Sequence, residues 1–144
     1  MVALVLALVL ALAWSSRGGS KQPWRRLADN GDMNFRRLDV YRLSMEHLAL
    51  VTNTILPKIP KGHAHIRDQL RRAAMSIPLN IAESSGKTTR ADQRRFFAIA
   101  RGSAMECAAI IDVYRVLKVG EPSALEKADV LLQSIVRMLS KLAR

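Results

Sequence analysis

Apolar residues recur every three or four positions in four successive stretches of the chain, all of them after Met33. None of these stretches alternates apolar and polar residues in the way of a half-buried strand. A spacing of three and four places apolar side chains on one stripe of a helix, and that stripe must be buried against another. Four such stretches with short connections predict an all-α fold, an antiparallel up-down-up-down four-helix bundle.

Prolines, glycines and capping patterns predict where the helices begin and end. We expect the first helix over residues 35–56, ended by two prolines, and the second from His65 to Ser84, with Pro78 inside it and kinking it. The third should follow a Thr89–Asp92 capping box and reach about Lys118. The fourth should follow a Ser123–Glu126 capping box and fill the rest of the chain.

The first 32 residues differ in composition from the rest and are predicted to lie outside the fold. Residues 1–14 are almost entirely Val, Leu and Ala, too short a run to span a bilayer, which takes ~20 apolar residues. They suit either a signal peptide or translated sequence upstream of a true start at Met33, and we favour the second. A polar linker follows, and residues 33–144 form the bundle domain. The expected location is cytoplasmic, with export only if residues 1–14 are a signal peptide.

The chain is strongly basic, with 23 Lys and Arg against 12 Asp and Glu and a formal net charge of +11. Such an excess favours polyanionic partners, namely nucleic acid, anionic lipid or an acidic protein. The alternative is a basic surface that is merely solvated. The charge belongs to the predicted domain, because residues 33–144 carry 19 basic and 10 acidic side chains.

Eight basic residues cluster on the predicted second and third helices and on the turn between them. We predict that they bind a phosphate backbone. The alternative is that Glu83, Asp92 and Glu106 pair with some of them, within or between subunits. Because few aromatic residues are interleaved, binding should be electrostatic, salt-sensitive and weakly sequence-specific. The eight are Arg67, Arg71, Arg72, Lys87, Arg90, Arg94, Arg95 and Arg101.

Patterns that would indicate catalysis or metal binding fail on spacing or context. The turn Ser84–Thr89 lacks the upstream glycine and strand of a phosphate-binding loop, and His63 and His65 lack further ligands. Arg42 and His47 have the spacing of the HEPN ribonuclease motif, but on the first helix instead of a later one. We therefore expect no catalytic residue, metal, cofactor or small-molecule substrate, and a buried, unreactive Cys107.

Four segments resemble the bacterial four-helix-bundle proteins first recognised as products of intervening sequences within 23S ribosomal RNA genes. They are LDVYRLSMEHL at 38–48, QLRRAAMSIPLNIAESSGK at 69–87, RRFFAIARGSAMEC at 94–107 and the leucine-rich last helix. The resemblance covers about residues 34–144 and departs at Ser84-Ser85, where the family has a glycine after the glutamate.

The resemblance implies a basic, ring-like homopentamer without catalytic residues. The chain is also similar to the accessory variability protein of diversity-generating retroelements, which implies binding to nucleic acid or a reverse transcriptase. Among the matched residues, Gly102 and Ser103 are expected to permit close helix approach, and Asn80 and Glu83 to bond between helices. Extra apolar residues beside the core stripes, such as Val113 and Met138, fit either self-association or a wide core.

Overall fold

A computed structural model describes residues 34–144 of the chain. Within this range it is all-helical and contains no strand, which confirms the predicted fold class for these residues. The predicted leader and linker, residues 1–32, lie outside the described part. The four α-helices are α1 (Asp39–Leu50), α2 (Ala64–Ser85), α3 (Arg90–Leu117) and α4 (Pro122–Leu142). Single 3-10 turns occupy Asn34–Arg37, Leu56–Lys58 and Lys61–His63.

The first helix changes geometry before it ends. It is α-helical only to Leu50 and continues as one π-helical turn over Val51–Ile55, in which the N–H of Leu56 donates to the carbonyl oxygen of Val51. Val51 and Ile55 are both fully buried, so the wider turn keeps them on the inner face. The helical segment therefore covers nearly the predicted range, but its last turn is not α-helical.

The buried stripes of the helices form one apolar core. Each fully buried Leu or Ile contributes about 1.5–3 kcal/mol of hydrophobic free energy relative to an exposed one. α2 continues through Pro78, which is itself buried and contributes no backbone donor. The main core residues on the last three helices are Leu70, Ala74, Ile77, Ile81, Ala100, Ala104, Cys107, Ile111, Tyr114, Leu125, Ala128, Leu132, Ile135 and Leu139.

Side-chain contacts show that α3 runs opposite to both α2 and α4. Gln69 donates to Glu106 over 3.1 Å and Ser103 donates to Ser76 over 2.8 Å, so residue numbers rise on α2 as they fall on α3. Arg115, near the end of α3, contacts Glu126 near the start of α4. Further along, Met105 and Ala108 share a shallow groove with Gln133 and Val136. α1 packs against both α2 and α4.

The capping prediction is right for α3 and wrong for α4. The Thr89 hydroxyl accepts a hydrogen bond from the backbone N–H of Asp92 over 3.1 Å, as an N-cap should. α4 instead begins at Pro122 with Glu121 as its N-cap residue, because proline is preorganised for the first helical position. Ser123 therefore lies inside the first turn, where its hydroxyl donates to Glu121 over 2.6 Å.

Candidate functional site

The eight predicted basic residues do not form a single patch. Arg67 and Arg71 lie near the start of α2, whereas Lys87 follows its end. Ser85 follows Arg67 by 18 positions, which span about 27 Å at 1.5 Å per residue. The hairpin therefore holds two separate groups of cations, one at each end.

Three of the eight basic residues are paired with a carboxylate or partly buried within the bundle. Arg71 is 2.9 Å from Asp68, and Lys87 is 3.0 Å from Glu83 while its ammonium lies 4.4 Å from the centre of the Phe96 ring. The Nε atom of Arg67 is buried without a hydrogen-bond partner among the described residues. Burial raises the pKa of Tyr114 to about 12, and the positive charge of Arg67 opposes that rise.

The other five are exposed and form no ion pair with any residue of the range 34–144. They are Arg72, Arg90, Arg94, Arg95 and Arg101. On α3, Arg90, Arg94 and Arg101 fall within about 40° of one another around the helix axis, and Arg95 points roughly a third of a turn away. These arginines project into solvent with their charge uncompensated.

The end of α4 extends this group of cations. Because α4 runs opposite to α3, Lys141 and Arg144 lie at the end of the bundle where α3 begins, and Arg137 lies beside the middle of α3, in the groove that Met105 lines; all three are exposed. Residues 83–101 and 137–144, called the basic end below, carry eight Lys and Arg against two Asp and Glu, a net charge of +6. The eight residues predicted from the sequence do not include these α4 cations, although the predicted antiparallel order places Lys141 and Arg144 here.

The opposite end of the bundle is close to charge balance. Residues 61–72 and 112–129, called the paired end below, carry seven basic and five acidic side chains, a net charge of +2. Arg115 is at its centre and lies 2.9 Å from Asp112, 3.2 Å from Glu126 and 3.3 Å from Asp129. Most of the positive surplus of the described helices therefore lies at the basic end.

A polar contact joins the middle of α2 and α3. The Ser76 hydroxyl receives hydrogen bonds from Asn80 over 2.9 Å and from Ser103 over 2.8 Å. The expectation that Ser103 lies at a close helix approach agrees with this contact. Asn80 itself bonds only within α2, to the hydroxyl and carbonyl oxygen of Ser76, so the predicted direct bond to another helix is wrong.

The predicted roles of Glu83 and Gly102 are also wrong within this chain. Glu83 pairs with Lys87, which follows it by four residues at the end of α2, and not with a residue of another helix. Gly102 is exposed, and a Cβ atom added there would meet no atom within 4 Å. None of the helices described for this chain therefore requires glycine at this position.

The two groups with catalytic potential are buried. His47 is fully buried, both ring nitrogens lack a partner among the described residues, and burial lowers its pKa to about 4. Arg42, by contrast, is exposed and lies 3.5 Å from Asp39. Arg42 and His47 therefore do not share a solvent-accessible site. Burial raises the pKa of Cys107 to about 12, with a further increase from Glu106, and the thiol stays protonated.

Residues 34–144 contain neither a metal site nor a membrane-spanning helix. No three His, Cys, Asp or Glu side chains of this range come together as a metal site would require. None of the helices in the same range is long and apolar enough to cross a membrane.

Comparison with known proteins places the chain in a family. No curated protein matches the sequence. The sequence model of the 23S rRNA-intervening sequence proteins matches residues 36–141, which include all four helices except the last residue of α4. The chain therefore belongs to the 23S rRNA-intervening sequence protein family.

Proposed function

We propose that this protein is a non-enzymatic, oligomeric helical bundle that binds RNA or DNA, or an enzyme acting on them such as a reverse transcriptase. The basic end is the contact surface, and the cytoplasm is where such partners are met. One observation carries the proposal: the arginines at this end of the bundle are exposed and unpaired, whereas Arg71 and Arg115 at the paired end contact carboxylates.

The charge distribution favours a phosphate backbone as ligand. Cations that neutralise phosphates release condensed counterions, and this release provides sequence-independent affinity. Arg90, Arg94 and Arg101 need not break an ion pair to do so. Phe96 lies beneath Lys87 and Phe97 packs against the core, so neither ring offers a stacking platform for bases. Binding is then salt-sensitive and only weakly dependent on sequence.

The proposal includes an up-down-up-down helix order and a homo-oligomer. The opposite directions of α2 and α3 and of α3 and α4 support the order. Large apolar side chains left exposed on the bundle, among them Leu79, Met105 and Val116, support assembly. A ring-like pentamer is the assembly that the family resemblance suggests.

The test is a titration of the full chain with RNA and with DNA at several salt concentrations. The double variant Arg94→Glu, Arg95→Glu should abolish binding, and affinity of the wild type should fall steeply with salt. The matched control is Arg71→Glu, Lys118→Glu, which makes the same change in net charge at the paired end. Failure of the wild type to bind at low salt, or equal losses in both variants, would contradict the proposal.

A second candidate is a protein-interaction module in which the charges serve contacts between subunits or with an acidic protein. Glu106 favours it, because this exposed carboxylate lies on α3 among the same arginines and receives only one hydrogen bond, from Gln69. Capture of a single acidic protein from cell extract, without nucleic acid, would support this candidate over the first.

A further inference from the structure

A groove lies between α3 and α4, which pack side by side in opposite directions. Its lining is mainly apolar and consists, besides Gln133, of Met105, Ala108, Leu132 and Val136. Arg137 and Asp129 also line it, and these two residues lie eight positions apart on α4, about 12 Å along the helix. The α3–α4 groove therefore has a positive side chain towards the basic end and a negative one towards the paired end.

Three of the exposed, unpaired arginines of the described helices lie in line with this groove. Arg90 and Arg101 fall within about 20° of Ala108 around the axis of α3, and Arg94 falls within about 20° of Met105. Because Met105 and Ala108 line the groove, the three arginines follow its continuation towards the start of α3. They extend over about 16 Å of the helix.

The other two exposed, unpaired arginines lie on the side of α3 that faces α2. Arg95 falls within about 20° of Glu106 around the helix axis, and Glu106 accepts a hydrogen bond from Gln69 of α2. Arg72 lines a separate hollow between α2 and α3, together with Gln69. The neighbours Arg94 and Arg95 therefore lie on different sides of the same helix.

Past Met105, towards the paired end, the groove becomes acidic. Asp112 falls within about 20° of Met105 around the axis of α3. It contacts Arg115, which also contacts Glu126 and Asp129 of α4. One cation is thus surrounded by three carboxylates. A phosphate backbone that follows the arginines from the basic end is repelled here, so the cationic half of the groove has an electrostatic end.

The dimensions and the lining of the groove favour a single strand over a duplex. Packed helix axes are about 8–10 Å apart, so the groove holds one sugar-phosphate backbone and not two. A single strand also exposes the faces of its bases, which a duplex keeps stacked inside. Met105 is 53% exposed, and its thioether suits contact with an aromatic ring. Leu79 and Val116 do not line this groove and are left for contacts between subunits.

We infer that the α3–α4 groove binds a single strand of RNA or DNA, with phosphates on its arginines and a base against Met105. These arginines are Arg90, Arg94, Arg101 and Arg137. The contact with the strand ends at the carboxylates around Arg115. The inference rests on the proposed function and adds the form of the nucleic acid and the path that it follows.

The first experiment compares two adjacent arginines in the full chain by fluorescence anisotropy with a labelled single-stranded RNA of about 12 nucleotides. Arg94→Gln should lower affinity by about tenfold at about 50 mM salt and reduce the slope of log affinity against log salt by about 0.7, the value for one phosphate of a single strand. Arg95→Gln is the matched control, since it removes the same charge from an exposed neighbour, and should leave both quantities unchanged. Equal effects of the two substitutions would overturn the inference.

The second experiment compares a single strand with a duplex of the same length. At about 200 mM salt, where counterion release contributes less, the duplex should bind the wild type more weakly, by about tenfold for the loss of one base contact. Met105→Ala should remove most of this difference without changing the salt slope. Met75→Ala, the same substitution at an exposed methionine of α2, should not. A duplex that binds as tightly as the single strand would contradict the inference.

The third experiment extends the cationic half of the groove. With single strands of increasing length, the affinity of the wild type should stop rising once the strand reaches the carboxylates around Arg115. Glu126→Lys should move this limit to longer strands. Glu106→Lys makes the same change in charge on the α2 side of α3 and should leave the limit where it is. A limit that moves equally in both variants would show that the strand does not follow the groove.

The outcomes separate this inference from the proposed function. Nucleic-acid binding in which Arg94→Gln and Arg95→Gln lose equal affinity would leave the proposed function standing and overturn the groove as its site. Wild type that binds neither RNA nor DNA at low salt would overturn both. Circular dichroism of each variant, all of them changed at exposed positions, should match the wild type, so that a loss of affinity reports on the contact.

Discussion

The two ends of the bundle carry similar numbers of basic residues but use them differently. At the paired end, seven basic side chains face five carboxylates, and Arg115 alone contacts three of them. At the basic end, eight basic side chains are accompanied by only two carboxylates. A count of arginines therefore does not locate a binding surface, because carboxylates on the same helix and on a neighbouring helix neutralise some of them.

The largest expected difference between the ends is in nucleic-acid affinity. Replacing Arg90, Arg94, Arg101 and Arg137 with Gln should lower affinity by about a thousandfold at about 50 mM salt, since each lost phosphate contact removes close to one released counterion. The same change at Arg71, Arg115, Lys118 and Lys127 should lower it by less than about tenfold. Equal losses of affinity in a fluorescence-anisotropy titration of the two variants would show that the two ends do not differ in nucleic-acid binding.

Acid should lower the stability of the fold without lowering the nucleic-acid affinity of the basic end. The folded-state pKa of His47, about 4, lies below its ordinary value of 6.5, so the unfolded state binds the extra proton first. The stability from neutral His47 is complete above about pH 7 and is lost as pH falls through 6.5 towards 4, by about 3 kcal/mol in total.

Urea unfolding at several pH values measures this loss. His47→Leu should flatten the slope between pH 7 and 4, and His65→Leu, which alters an exposed histidine, should not. Nucleic-acid affinity of the folded protein should stay constant from about pH 7 to pH 5.5, because arginine does not titrate there. A parallel fall in affinity would mean that histidines, and not arginines, bind the ligand.

The helix starts at the two ends should also respond differently to loss of a hydroxyl. Thr89→Ala removes the N-cap of α3 at the basic end and should lower the free energy of unfolding by about 1 kcal/mol. Ser123→Ala, at the paired end, should lower it by less than about 0.5 kcal/mol, since this hydroxyl does not cap α4. Similar losses in urea unfolding would show that Ser123 does act as a cap in solution.

The smallest expected difference is in the stability contributed by single arginines. Arg115→Gln should cost about 0.5–1 kcal/mol, because three carboxylates then repel one another without a central cation. Arg101→Gln should cost nothing at low salt, where it relieves repulsion among unpaired cations. Thermal unfolding of both variants at low and high salt tests these two predictions. A loss of stability in Arg101→Gln would indicate that Arg101 has a partner in the folded protein.

The fold was predictable because its signals are local. Apolar spacing, Pro57, Thr89 and Gly120 mark most helix limits within a residue or two of where they occur. Ser123 misled the prediction because two signals, a capping box and a proline at the first helical position, competed over one turn, and the proline prevailed.

The candidate site was less predictable because it depends on which helices are neighbours. Arg115 contacts Glu126 and Asp129 only because α4 packs beside α3, whereas no carboxylate of another described helix pairs with Arg94. Arg137 and Arg144 were missed because they are distant in sequence from the hairpin and are brought to it by the direction of α4. Burial of His47 was equally invisible, since a histidine on an amphipathic helix suits either face.

The π-helical turn at Val51–Ile55 lets the first helical segment tolerate one change in chain length. A π-helical turn holds about one residue more than an α-helical turn, so it absorbs the extra residue and the residues on either side keep their faces. Deleting Thr52, an exposed residue, would therefore convert the segment to regular α-helix and leave Val40 and Ser44 in the core they now occupy. A deletion within the α-helical part of the segment has no wide turn to absorb it and would rotate every residue before it by about 100°.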